Sequence, residues 1–268
     1  MQRIAVSNPS ATSSEIASRL PSDCHISPRT IRRRLQLTFH LRAYKPAKKP
    51  RLSEKNRRDR FTFCQRYRHW TPSMWSRVMF SDETMIVQFR PNNRYVRRPP
   101  KQRHNQRYTT TTVRNAPSAM VWGAICASGR CGLYILPKGE TVRAKNYLQI
   151  IQEKVPTFMQ IKRTDVFQHD GAPAHTAKIV KNWLRDCPFD VLTPWPGQSP
   201  DLNPIENCWV KLKERVAAKQ VSSYEELVGA IISAWTMEIH PEYCEKLVSS
   251  MPRRIEACIA AGGRSTKY

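Results

Sequence analysis

The chain has 268 residues, with 45 Lys and Arg against 21 Asp and Glu and a formal charge of +24. With 40% hydrophobic residues it can bury a core of ordinary size, which excludes wholesale disorder. No apolar run approaches the ~18–20 residues of a bilayer span, and the first twenty residues carry Arg3, Glu15 and Arg19 among Ser, Thr and Pro rather than an apolar signal region; the sequence predicts neither a membrane-spanning nor a secreted protein.

The excess charge is segregated. Up to Arg114 there are 26 basic and 6 acidic residues, and beyond it 19 and 15. A polyanion is the natural partner of such a field, and no basic amphipathic helix with a broad apolar face points to a membrane surface. The eight cysteines (24, 64, 126, 131, 187, 208, 244 and 258) are scattered without a Cys-x-x-Cys pair and read as reduced, mostly core-filling thiols.

Three regions are expected, at 1–40, 41–75 and 76–268. In the first, Thr12 stands three residues before Glu15, a capping box that opens a helix with Ile16, Ala17 and Leu20 on one face. Ser27-Pro28 caps a second helix running to about Leu37, in which Ile31 and Leu35 face the first while Arg29, Arg32, Arg33 and Arg34 cover the rest. Two short helices joined by a tight turn, the second rich in arginine, predict a helix-turn-helix DNA-binding module. Lys45, Lys48, Lys49 and Arg51 follow in a Pro-broken segment suited equally to tracking phosphates and to nuclear import. A helix from Ser53 to about Trp70 comes next, basic on one side, with Phe61, Cys64 and Tyr67 as packing residues on the other.

In the third region, Arg77–Glu83 and Thr84–Phe89 read as two successive strands, the first closed by Asp82. Strands are expected at Ala119–Ile125 and Gly132–Leu136, with a turn at Gly129, and a helix near Ala144–Met159. Strand Asp165–Asp170, helix His175–Cys187 and strand Phe189–Leu192 then alternate in a way that implies a parallel half-sheet, so the fold is mixed α/β. Ligands in such sheets gather at the carboxyl ends of strands, where Asp82 and Asp170 converge if their strands are neighbours. Two close carboxylates repel unless a cation lies between them, and Mg²⁺ prefers such hard oxygen ligands. Asn203 and Pro204 open a further helix that carries Glu206 in its first turn, a third carboxylate on a rigid element. Glu83 is read as a neighbour of the site and Asp201 as a cap; Trp122, Trp195 and Trp209 are read as core.

Ser81-Asp82-Glu83, Met120-Val121-Trp122-Gly123, His169-Asp170 with Ala172-Pro173-Ala174-His175-Thr176, the run Trp195-Pro196 through Ser199-Pro200-Asp201-Leu202-Asn203-Pro204-Ile205-Glu206-Asn207, and Met251-Pro252-Arg253-Arg254 occur in one order along nearly the whole chain. In these segments the sequence resembles the transposases of the Tc/mariner superfamily. The resemblance implies an α/β ribonuclease-H-like catalytic domain, a mixed five-stranded sheet with flanking helices, preceded by the all-α helix-turn-helix module. It implies an acidic triad, Asp82, Asp170 and Glu206, holding two Mg²⁺ or Mn²⁺ ions, with His175 positioning or packing beside it. It further implies cut-and-paste transposition of double-stranded DNA between terminal inverted repeats, insertion at TA, no small-molecule substrate, a homodimer and a nuclear location. The alternative is a transposase-derived DNA-binding protein without productive excision. Thirty-five residues separate Asp170 from Glu206, one more than the family's commonest spacing, and Gly171 stands where Asn is frequent. The family usually carries two helix-turn-helix units; this chain starts where the second one does, which suggests a shortened front with Met1–Ser7 as an incomplete first helix.

Overall fold

The computed structural model describes residues 1–21, 23–44, 51–88, 117–219 and 221–268. It divides into two compact units, Met1–Lys49 and Pro50–Tyr268. Lys45, Lys48 and Lys49 lie outside the described residues.

The small unit holds α1 (Gln2–Ser7), α2 (Ser13–Ser18) and α3 (Pro28–Leu37). The capping box at α2 is present in both directions: the Glu15 N–H donates to Thr12 Oγ1 at 3.2 Å, and the Thr12 N–H donates to Glu15 Oε2 at 2.6 Å. Ser27 caps α3 by accepting from the Thr30 N–H. α2 packs on α3, and Ile16 and Ile31 are their buried residues, whereas Arg29, Arg32, Arg33 and Arg34 are exposed. α1 buries none of its residues.

The large unit begins with α4 (Glu54–Arg66) and α5 (Pro72–Ser76). α4, expected to belong to a connector, packs on the C-terminal helix α11 (Met251–Ala260) and shares a core with it. Its buried face is Arg60, Phe63 and Cys64, followed by Tyr67, whereas Phe61 is 37% exposed. Phe63, not Phe61, is the packing aromatic, because 60, 63, 64 and 67 fall on one helical stripe.

The sheet contains β1 (Val78–Val87), β2 (Ser118–Cys126), β3 (Gly129–Arg130), β4 (Tyr134–Ile135), β5 (Val166–Gln168) and β6 (Asp190–Val191). Its order is β3-β2-β1-β5-β6, with β4 also on β2. β1–β2 is antiparallel, whereas β1–β5 and β5–β6 are parallel. β3 and β4 pair with β2 in registers one residue apart, Ile125↔Arg130 against Val121↔Ile135. They therefore form one edge strand interrupted by a bulge, and among the described residues the six strands occupy five positions in the sheet. The two strands expected at 77–89 are a single ten-residue strand, so Asp82 lies within β1 rather than at its end; nothing between Glu83 and Thr84 breaks the extended chain.

Side-chain alternation divides the core between the two faces. Val78, Phe80, Val121 and Ile125 join α4, α8 (Ile205–Ala217), α9 (Tyr224–Glu238), α10 (Pro241–Val248) and α11 on one face. Met79, Trp122, Ala124 and Phe167 join α6 (Ala144–Lys162) and α7 (Lys178–Arg185) on the other. α7 is shorter than the helix expected from His175, because residues 173–176 form turns before it. All eight cysteines are free thiols, and among the described residues no helix is long and apolar enough to cross a membrane.

Candidate active site

Phe80 of β1 pairs in parallel register with Gln168 of β5. Each chain then runs two residues further, to Asp82 and to Asp170. The junction is cross-braced: the Ser81 hydroxyl donates to the Gln168 carbonyl at 2.8 Å, and the Ser81 N–H donates to Gln168 Oε1 at 3.3 Å. Asn203 brings in the third segment, its Nδ2 donating to the Ser81 carbonyl at 3.2 Å while its Oδ1 accepts from the Ile205 N–H at the start of α8. Glu206 follows in the first turn of α8.

Asp82 faces α8. Its Oδ2 accepts from Trp209 Nε1 at 3.0 Å. Burial, then the charge of Glu206 and then that of Glu83, pushes its carboxyl well above the usual range. Burial also raises Glu206. Both carboxylates are thus held at a cost that a nearby cation would offset.

Glu83 projects to the opposite face, toward α6 and α7, since neighbours on a strand alternate. Its carboxylate lies 3.3 Å from His175 Nε2, and His175 Nδ1 lies 2.6 Å from Asp170 Oδ1. Asp170 Oδ1 also accepts from the Ala172 N–H at 2.9 Å. Burial alone would lower the His175 imidazole, but the adjacent carboxylates of Asp170 and Glu83 prevail and raise it to about 10. Asp170 is correspondingly low: burial opposes ionisation, and the bonds from His175 and Ala172 outweigh it. His175 stacks on the Tyr147 ring at 3.8 Å, and the Tyr147 hydroxyl is 3.0 Å from His169 Nδ1. Burial lowers His169 to about 4, so it is neutral. The Tyr147 hydroxyl is raised by burial and then by the charges of Glu83, Asp170 and Asp82.

Asp82 thus feels the charge of Glu206, while Asp170 is turned onto His175. Among the described residues no three His, Cys, Asp or Glu side chains enclose an ion as they stand. The donor chemistry nevertheless fits a hard divalent cation, because Asp82 and Glu206 present carboxylates raised by burial, Asp82 by repulsion as well.

Other parts of the long 195–207 segment are structural. Asp201, read from sequence as a cap, instead forms a bidentate pair with buried Arg60 of α4, both contacts 2.7 Å, and accepts from the N–H and hydroxyl of Thr266. A cap needs only local backbone, but α4 brings a buried cation and Thr266 brings two donors to this carboxylate. Arg60 Nε donates to the Gly263 carbonyl at 2.9 Å; Gly263 has φ +79°, and a Cβ there would lie 2.1 Å from the Arg57 carbonyl oxygen. Arg254 donates to Asn207 Oδ1 at 2.6 Å and to the Asp201 carbonyl at 2.9 Å, which explains the tail segment 251–254. Trp122 is core, Trp195 packs edge-on to Phe63, and Trp209 is core but also bonded to Asp82. Sequence reasoning missed that bond and the Tyr147 and His169 partnership. Their signals were a Trp one turn after Glu206 and an adjacent His-Asp pair.

A five-position sheet of order β3-β2-β1-β5-β6, with acids at the parallel junction and on α8, defines a ribonuclease-H-like phosphoryl-transfer domain, here in a chain that also carries a helix-turn-helix unit. Residues 77–228 match the family model of the DDE superfamily endonucleases, and residues 1–69 match a helix-turn-helix model described as Transposase. The Tc1 transposase of Caenorhabditis elegans is 34% identical over 99% of this chain and 98% of its own length. The Tcb2 transposase of Caenorhabditis briggsae is 34% identical over 97% of this chain and 94% of its own. Among solved structures, a Mos1 transposase paired-end complex with the left transposon end matches with a TM-score of 0.83 at 23% identity, over 99% of this chain and 78% of that one. The chain belongs to the Tc1-type family of DNA transposases.

Proposed function

We propose that this chain carries out cut-and-paste transposition, with Asp82, Asp170 and Glu206 together holding two Mg²⁺ or Mn²⁺ ions at the β1–β5 junction. The observation that carries this reading is the Asp82–Glu206 pair, two acids raised by burial, one of them also by the other's charge, on the rigid elements β1 and α8. When bound, such ions supply Lewis acidity at the scissile phosphate and favour deprotonation of the attacking hydroxyl or water. The protein's own residues orient the reacting groups. His175, stacked on the buried Tyr147 ring, holds Asp170.

The partners follow from charge and kinship. The exposed Arg29, Arg32, Arg33 and Arg34 of α3 and the exposed Arg51, with Lys45, Lys48 and Lys49, are assigned to double-stranded DNA at the element's terminal repeats. Mos1 has been solved as paired-end complexes with Mn and with Mg, which supports a divalent ion and a DNA-end substrate for this chain. TA target DNA, a homodimer and a nuclear location are assigned by the same kinship.

The test is cleavage of a labelled duplex bearing the element's own flanks, with Mg²⁺ or Mn²⁺, by the parent and by Asp170→Asn. Metal-dependent cuts at the repeat end, lost in the variant with binding retained, are expected. Binding by the parent without any cutting would support a DNA-binding derivative instead.

A further inference from the structure

We propose that Trp209 is a positioning residue for Asp82, its indole N–H holding the carboxylate in the one orientation from which it shares a cation with Glu206. The inference rests on the metal reading above and adds a residue to it.

Trp209 lies three residues after Glu206, one helical turn along α8. A single helix therefore delivers both the third acid and the donor that fixes the first. The indole is 1% exposed, and its Nε1 reaches Asp82 Oδ2 at 3.0 Å. Burial alone does not explain this bond: Trp75 and Trp122 are as deeply buried, and their Nε1 atoms have no hydrogen-bond partner among the described residues.

The backbone opposite Asp82 is shaped to admit the ring. Gly123 of β2 is the register partner of Asp82. A Cβ on Gly123 would stand 2.7 Å from Trp209 Cη2 and 3.0 Å from Leu133 Cδ2, so any larger residue displaces the indole. On its other side Trp209 stacks on Trp235, with centroids 5.2 Å apart and planes at 26°. Trp235 is itself fixed by a 2.8 Å bond from its Nε1 to the Cys131 carbonyl. The indole is thus clamped between a glycine and a second anchored ring. As a neutral donor it orients Asp82 without bringing a positive charge that would compete with a metal ion.

The experiment is Mn²⁺ binding to the full chain without DNA, read from the paramagnetic resonance of free Mn²⁺, with thermal melting as a check on folding. Trp209→benzothienylalanine keeps the ring shape and exchanges N–H for sulfur. It should melt with the parent and bind Mn²⁺ roughly 10–100-fold more weakly, the usual effect of losing a partner of a ligand. Gly123→Ala, which pushes the ring aside, should weaken binding in the same direction. Parent-like affinity in the benzothienyl variant, with Asp82→Asn unable to bind, overturns the role of Trp209 and leaves the metal reading standing. Parent-like affinity in Asp82→Asn overturns the metal reading, and this inference with it.

Discussion

The two faces of β1 treat neighbouring acids in opposite ways. On the α8 face, Asp82 meets a neutral donor, Trp209, and a second acid, Glu206, and its carboxyl is pushed up. On the α6–α7 face, Glu83 and Asp170 share the His175 imidazolium, and Asp170 is pulled down although its side chain is 49% exposed. The contrast teaches that the site is not a symmetrical acidic cup. On one side burial and, for Asp82, repulsion raise two acids that have no imidazole beside them; on the other, His175 lies between two carboxylates and holds Asp170 ionised.

The largest effects should show both faces as one machine. Asp82→Asn, Asp170→Asn and Glu206→Gln are each expected to cut DNA cleavage by roughly 10³-fold or more, as for groups that act as a unit; cleavage rates on one labelled duplex check this, and an acid whose amide cleaves normally lies outside the site. Asp201 sharpens the comparison as a carboxylate outside the chemistry. Asp201→Ala leaves the Arg60 guanidinium buried and unpaired and should cost about 3–5 kcal/mol of stability. Because Asp201 is held below its ordinary value, its contribution is present above the unfolded carboxylate pKa of ~3.9 and is lost as pH falls through the lower folded value. Urea midpoints of parent and variant should therefore converge in acid.

His175→Ala should slow cleavage by about 10–100-fold through a mispositioned Asp170. Its stability signature has the opposite sign to that of Asp201. His175 is raised from ~6.5 to about 10, so its contribution is complete below the unfolded value and is lost as pH rises through the folded one. The gap in melting temperature between parent and variant should shrink from pH 6.5 toward 10; a constant gap would leave His175 a packing residue only. The smallest effects belong to α3: Arg32→Ala or Arg33→Ala, if on phosphate, should each reduce the salt slope of DNA binding by about 1 while lowering affinity for all sequences alike.

Much of this was legible in the sequence where the cause is local. The Thr12–Glu15 box and the Ser27-Pro28 cap gave α2 and α3 with their starting points, because those hydrogen bonds close within three residues. Asp82, Asp170 and Glu206 stood out as acids next to strand and helix boundaries. What the sequence hid is carried by contacts across long separations. Asp201 looked like a cap because Arg60 lies 141 residues away, and Trp209 looked like core because its bond to Asp82 spans 127 residues. The single strand 78–87 was divided in two because acidic Asp82 and Glu83 read as a strand end, whereas each has a partner on its own face of the sheet.

The central claim is that Asp82 and Glu206 share a cation that also draws in Asp170. The most direct measurement is an anomalous-difference map of crystals of the full chain with end DNA and Mn²⁺. Density between Asp82 and Glu206 within ligand distance of the Asp170 carboxylate is the predicted result; Mn²⁺ bound away from this pair, or an ion there that Asp170 does not reach, would contradict it.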